Sequence, residues 1–116
     1  MAYDEDLAGR IRELLGDDPA VREKRMFGGL AFLVGANMAL AASGQGGLLV
    51  RVDPTQYERF RTAAGVDPAV MRGRTMQGWL RVESSAVRTE RQLRTWVERS
   101  VTYARSLPAK PATTRR

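Results

Sequence analysis

Between Val21 and Val52 the chain alternates short apolar runs with glycine-bearing turns, and no turn there is long enough to hold a crossover. Leu30 to Val34 is followed by Gly35-Ala36-Asn37, and Met38 to Ala42 by Ser43-Gly44-Gln45-Gly46-Gly47. Leu48 to Val52 closes the series. Parallel strands need connections of about a dozen residues, so runs this closely spaced must pair antiparallel. Val21 to Phe27, with charges interleaved, predicts one more strand ahead of them. The centre of the fold is therefore an antiparallel sheet.

Helical spacing frames that sheet. Leu7, Ile11, Leu14 and Leu15 share one face of a helix over about Asp4 to Leu15. Asp4 can cap it, Glu5 and Asp6 suit its positive end, and Gly16 fits its stop. Asp53-Pro54 is a helix start, with Asp as cap and Pro at the first position, and predicts a helix to about Ala64 with Gly65 as its stop. Val66 to Met71 fits no single pattern. Arg74 to Val82 reads as a strand or hairpin arm, with Trp79 and Leu80 as its apolar content and Gly78 as a bulge. Thr89 and Gln92 have capping-box spacing, and Leu93, Trp96, Val97, Ala104 and Leu107 fall on one face of a helix that Pro108 ends. The order predicts a two-layer α+β domain over residues 1–108. It has an antiparallel sheet of about four to five strands with helices packed on one face. Residues 109–116 read as a disordered basic tail.

Composition narrows function by exclusion. The 116 residues include no cysteine and no histidine, so disulfides, thiol nucleophiles, imidazole bases and Cys/His zinc sites are ruled out for this chain alone. Neither GxGxxG nor GxxxxGK[ST] occurs, so no nucleotide-cofactor motif is present. Nor do the acidic residues show metal-ligand spacing. The expectation is a non-enzymatic protein without cofactor or metal. The acidic start and the glycine-broken Met26–Val50 stretch argue against a secretory signal or a membrane helix, and predict a cytoplasmic protein.

Charge is uneven. Residues 1–58 carry six basic and nine acidic side chains, whereas residues 59–116 carry thirteen and four. An anionic partner for the second half is one reading. The other is a solvated surface, since seventeen of the nineteen cations are Arg and three cations lie in the tail. Arg88, Arg91, Arg94, Arg99 and Arg105 fall on one arc of the last helix, opposite its apolar face, and could meet a phosphate backbone or an acidic partner. Arg72-Gly73-Arg74 is a weaker candidate of the same kind. In Lys24-Arg25-Met26-Phe27-Gly28-Gly29, Lys24 and Arg25 can meet an anion. The preferred reading is structural, with Met26 and Phe27 as core and Gly28 and Gly29 at a tight bend. Trp79 reads as core in preference to a stacking platform.

Lys24 to Phe32, with its Gly28-Gly29 step, resembles the N-terminal domain of the TfoX/Sxy family of competence regulators. Ala2-Tyr3-Asp4-Glu5, Arg12-Glu13-Leu14-Leu15, Met76 to Val82 and Ala104 to Pro108 extend the resemblance over residues 2–108. The resemblance implies a two-layer α+β domain and a short bacterial member made of that domain. It also implies a regulatory role of the kind full-length members play at DNA-uptake genes, together with a cyclic-AMP-responsive transcription factor. It brings no catalytic residues. A protein partner is expected, either a transcription regulator or a second copy of the chain. Nucleic acid is the alternative partner, and no membrane is expected.

Overall fold

A computed structural model of the chain describes residues 3–26 and 28–108. The expectations for Phe27 and for the 109–116 tail lie outside the described residues. Helix α1 (Glu5–Leu15) starts on Asp4, whose carboxylate accepts from the Leu7 N–H, and stops at Gly16 (φ +63°). Six strands follow: β1 (Val21–Met26), β2 (Gly29–Val34), β3 (Asn37–Ala42), β4 (Leu48–Arg51), β5 (Val66–Met71) and β6 (Arg74–Val82). Between β4 and β5, Asp53 caps a 3₁₀ turn (Pro54–Gln56) that runs into a short helix α2 (Tyr57–Phe60). A second 3₁₀ turn (Ser84–Val87) precedes α3 (Glu90–Ser106), which opens with the Thr89/Gln92 capping box.

The strands form one antiparallel sheet in the order β1-β2-β3-β4-β6-β5, with the helices on one side. There is one strand more than the upper expectation. The addition is β5, which holds Pro68. Proline donates nothing to a ladder and is tolerated at a sheet edge, where β5 lies. Its register with β6 shifts between Pro68 and Val70, opposite the stretch that holds Gly78 (φ +85°). Gly35-Ala36 and Arg72-Gly73, all at positive φ, make the two tight hairpin turns β2–β3 and β5–β6.

The second helix is much shorter than the sequence predicts. Past Phe60, the Ala63 N–H bonds the Phe60 carbonyl and the Val66 N–H the Ala63 carbonyl, both tight-turn bonds. The Thr62 hydroxyl takes the Arg59 carbonyl, and such side-chain competition favours turns over helix.

Alternation sorts the strand residues. Leu30, Phe32 and Val34, Leu40 and Ala42, Leu48, Val50 and Val52, and Leu80 and Val82 join Leu7, Ala8, Ile11, Leu93, Trp96, Val97, Val101 and Ala104 in one core between sheet and helices. α3 crosses β2, β3 and β4, and α1 lies beside it. The closing chain is tied down by Asn37, which is 3% exposed; its amide donates to the carbonyl of Pro108 at 3.0 Å. Among the described residues no helix is long and apolar enough to cross a membrane.

Candidate functional site

Among the described residues no helix lies over the opposite face of the sheet, and strand pairing shows what that face presents. Cross-strand partners share a face. Lys24 pairs with Ala31, Ala31 with Ala41, Ala41 with Leu49, Leu49 with Arg81 and Arg81 with Asp67, so one row crosses all six strands. Arg22, Leu33 and Met38 form a second, shorter row, and Arg51 pairs with Trp79. The middle is apolar; Arg22 and Lys24 stand at the β1 margin, and towards the β5 margin Arg81 lies cross-strand from Asp67. Ala31 (0% exposed) and Ala41 (4%) lie outside the main core, their short side chains at the floor of this row. Leu33, Met38, Leu49 and Trp79 are half-buried.

Two of the marginal cations are fixed in place. Arg81 donates to the Gln45 side chain at 2.9 Å and to its carbonyl at 3.2 Å, which ties the β3–β4 turn to β6. Past Val50, where β4 has no further partner on β3, the Arg51 guanidinium lies 5.7 Å from the Trp79 ring centroid and 5.5 Å from that of Tyr103. The sequence reading places Trp79 in the core; it lies outside the main core instead, half-buried beside Arg51, whose guanidinium also reaches Tyr103 of α3. The core tryptophan is Trp96.

The Lys24–Gly29 motif resolves into structure. Lys24 lies in the helix-free row, whereas Arg25 pairs with Leu30 and takes the other face. As strand neighbours the two cations diverge and do not converge on one anion. Met26 is half-buried and outside the core, and it pairs with Gly29 across the turn. Gly28 has φ +75°, and a Cβ on Gly29 would sit 2.2 Å from the Ala42 carbonyl oxygen. The two glycines are demanded for different reasons, one by conformation and one by close approach.

The arginine arc of α3 is divided. Arg94 pairs with Glu90 and Arg105 with Asp18 in the α1–β1 turn. Arg99 is half-buried on the α2 side, its guanidinium 4.1 Å from the Phe60 centroid and 4.7 Å from that of Trp96. Those two rings meet edge to face at 5.9 Å. Loss of water holds the Arg99 pKa below its usual value, and the charge of Arg59 adds to that. Arg88 and Arg91 are exposed, as are Arg72 and Arg74 at the tip of the β5–β6 hairpin. None of these four has a carboxylate partner among the described residues. The helix-free row and the surroundings of Arg99 escaped sequence reasoning, because each joins residues from three or more elements.

A model of the TfoX N-terminal domain matches residues 13–104, most of the length and every element but the first turns of α1 and the end of α3. The chain belongs to the TfoX N-terminal domain family. No curated protein and no solved structure shows a significant match to it. The Lys24 to Phe32 segment that carried the resemblance lies inside the matched region, across β1, the bend and β2 of this TfoX N-terminal domain.

Proposed function

We infer that this TfoX N-terminal domain is a non-enzymatic binding and regulatory module that acts through protein contacts on the helix-free face of its sheet. One observation carries this reading: half-buried Leu33, Met38 and Leu49 and a floor of Ala31 and Ala41 form an apolar strip with Arg22 and Lys24 at one margin and Arg81 beside Asp67 at the other. A partner with acidic groups around an apolar patch complements it. A second copy would bring Arg22, Lys24 and Arg81 against one carboxylate, Asp67, and so complements it less well than an acidic partner. The family's competence regulators point to transcription control as the setting.

The test is Leu49→Glu, a charge at the centre of the row. The substituted protein keeps its far-UV spectrum and melts within a few degrees of wild type, because Leu49 is not a core residue. Its affinity for a purified partner, first captured from the source cell, falls by about tenfold or more. Unchanged affinity, or steady turnover of a substrate by the purified protein, refutes the reading.

Direct nucleic-acid binding is the second reading, supported by the exposed Arg72, Arg74, Arg88 and Arg91, which have no carboxylate partner among the described residues. It predicts anisotropy-detected binding of labelled duplex or single-stranded DNA that falls steeply with salt yet survives removal of residues 109–116. Binding that vanishes with the tail counts against it.

A further inference from the structure

A hollow of about 430 Å³ lies between the turn Ala63-Ala64-Gly65, the 3₁₀ turn at Ser85-Ala86 and one flank of α3. Arg91, Thr95 and Arg99, spaced four residues apart, line that flank, and Trp96 and Gln92 complete it. The wall is held close, since a Cβ on Gly65 would meet the Ala86 methyl at 2.9 Å. The hollow is apolar in shape-giving residues, with Ala63, Ala64, Ala86 and the Trp96 indole, and no acidic side chain lines it.

Its uncommitted polar groups are overwhelmingly donors. Trp96 is 5% exposed, and its indole N–H, which can only donate, has no acceptor among the described residues. The guanidinium groups of Arg91 and Arg99 likewise have no hydrogen-bond or ion-pair partner among the described residues. Arg99 is half-stripped of water, and Arg59 lies over the same Phe60 ring at 5.8 Å. Aromatic stacking offsets part of what that desolvation costs, but it supplies no acceptor for the N–H groups. Donors gathered without a counter-charge around an apolar hollow are complementary to an anion with an apolar body. The volume suits a small molecule.

We propose that this hollow is a binding site for a small organic anion, a phosphate or carboxylate carried on a compact planar or apolar body, with Arg91, Arg99 and the Trp96 indole as its donors. The site is separate from the helix-free sheet face, and its existence does not depend on what that face binds.

The probe is phenyl phosphate, titrated into the ¹⁵N-labelled full chain. Trp79→Phe assigns the two indole signals. Saturable shifts are expected at the Trp96 indole N–H and at the Arg91 and Arg99 side-chain N–H groups, with the Trp79 signal unmoved. Arg91→Gln, an exposed position, weakens binding about tenfold, as loss of a charge-assisted hydrogen bond predicts. Arg99→Gln does the same, and Arg99→Lys keeps the charge and part of the affinity should the glutamine variant fold poorly. Arg72→Gln leaves affinity unchanged. The proposal is overturned if no saturable shift appears at millimolar phenyl phosphate or benzoate, or if Arg91→Gln titrates like wild type. Inorganic phosphate binding as tightly as phenyl phosphate overturns the apolar-body assignment. Shifts produced by a glutamate-rich peptide but not by phenyl phosphate overturn the small-molecule assignment.

Discussion

Substituting the two glycines of the β1–β2 bend one at a time separates two physical demands. Gly28 has φ +75° and open space around its absent Cβ. Alanine there meets only the backbone penalty, about 1–2 kcal/mol, less the ~0.4–1 kcal/mol recovered by restricting the unfolded chain. The net is about 1 kcal/mol. Gly29 needs no unusual φ, but its Cβ would sit 2.2 Å from the Ala42 carbonyl oxygen, where ordinary contact begins at 3.4 Å, and 3.1 Å from the Gly44 nitrogen. The obstacle is backbone on both counts, so β2 and β3 must part by about 1.2 Å beside the Leu30–Ala42 pair. Overpacking of that size in a ladder costs about 3 kcal/mol or more. At roughly 4 °C per kcal/mol for a domain of this size, Gly28→Ala lowers Tm by about 4 °C and Gly29→Ala by about 12 °C. Urea melts followed by circular dichroism give both free energies. A Gly29→Ala loss no larger than that of Gly28→Ala refutes the close-approach reasoning. If both variants keep full stability but lose partner binding, the bend belongs to a recognition surface instead.

Three further outcomes are expected. Phe32→Ala empties a fully buried position of the core and lowers stability by about 3–5 kcal/mol in the same urea assay. Ala36→Gly relieves a non-glycine residue at φ +69° in the β2–β3 turn and raises Tm slightly, by the equivalent of at most about 1 kcal/mol. Glu23 accepts from Arg12 at 2.6 and 2.9 Å, and that bond holds its pKa below the usual carboxylate value. With the folded pKa depressed, its contribution is present above the unfolded value and is lost as pH falls through the folded one. Both side chains are more than a third exposed, so solvent limits the contribution to about 0.5 kcal/mol. A melting series from pH 6 to pH 3 therefore shows a slightly steeper fall for wild type than for Glu23→Gln.

The elements that local chemistry defines are the ones legible in the sequence. The Gly35-Ala36 turn, the Asp4 and Asp53 caps, the Thr89/Gln92 box and β6 all stand where the residues place them, because each is a matter of φ preference or of a bond to a near neighbour. What was not legible depends on distant partners. β5 looked ambiguous because Pro68 disqualifies a central strand, and only the strand order makes it an edge. Trp79 has the hydropathy of a core residue, but its face follows from pairing with Arg51. The arginine arc of α3 is geometrically sound and chemically divided, since Asp18, which takes Arg105, is 87 positions away in the chain. The Arg91–Arg99 hollow had a faint signal in the four-residue spacing of Arg91, Thr95 and Arg99. Nothing local foretold that α2 would end at Phe60 and bring Ala63 to Gly65 against it.

The alternation along β2, β3 and β4 also bears on how the family can diverge. Leu30, Phe32 and Val34 point to the helices, whereas Ala31 and Leu33 point away; the same division runs through β4, and through β3 except where a register shift puts both Ala39 and Leu40 in the core. Substitutions at one set strain packing against the helices, while those at Leu33 and Leu49 change what the other face offers. Alternate positions of a single strand therefore answer to separate physical demands. Descendants of one ancestral domain can drift to new partners while the helix-packed half of each strand stays nearly unchanged.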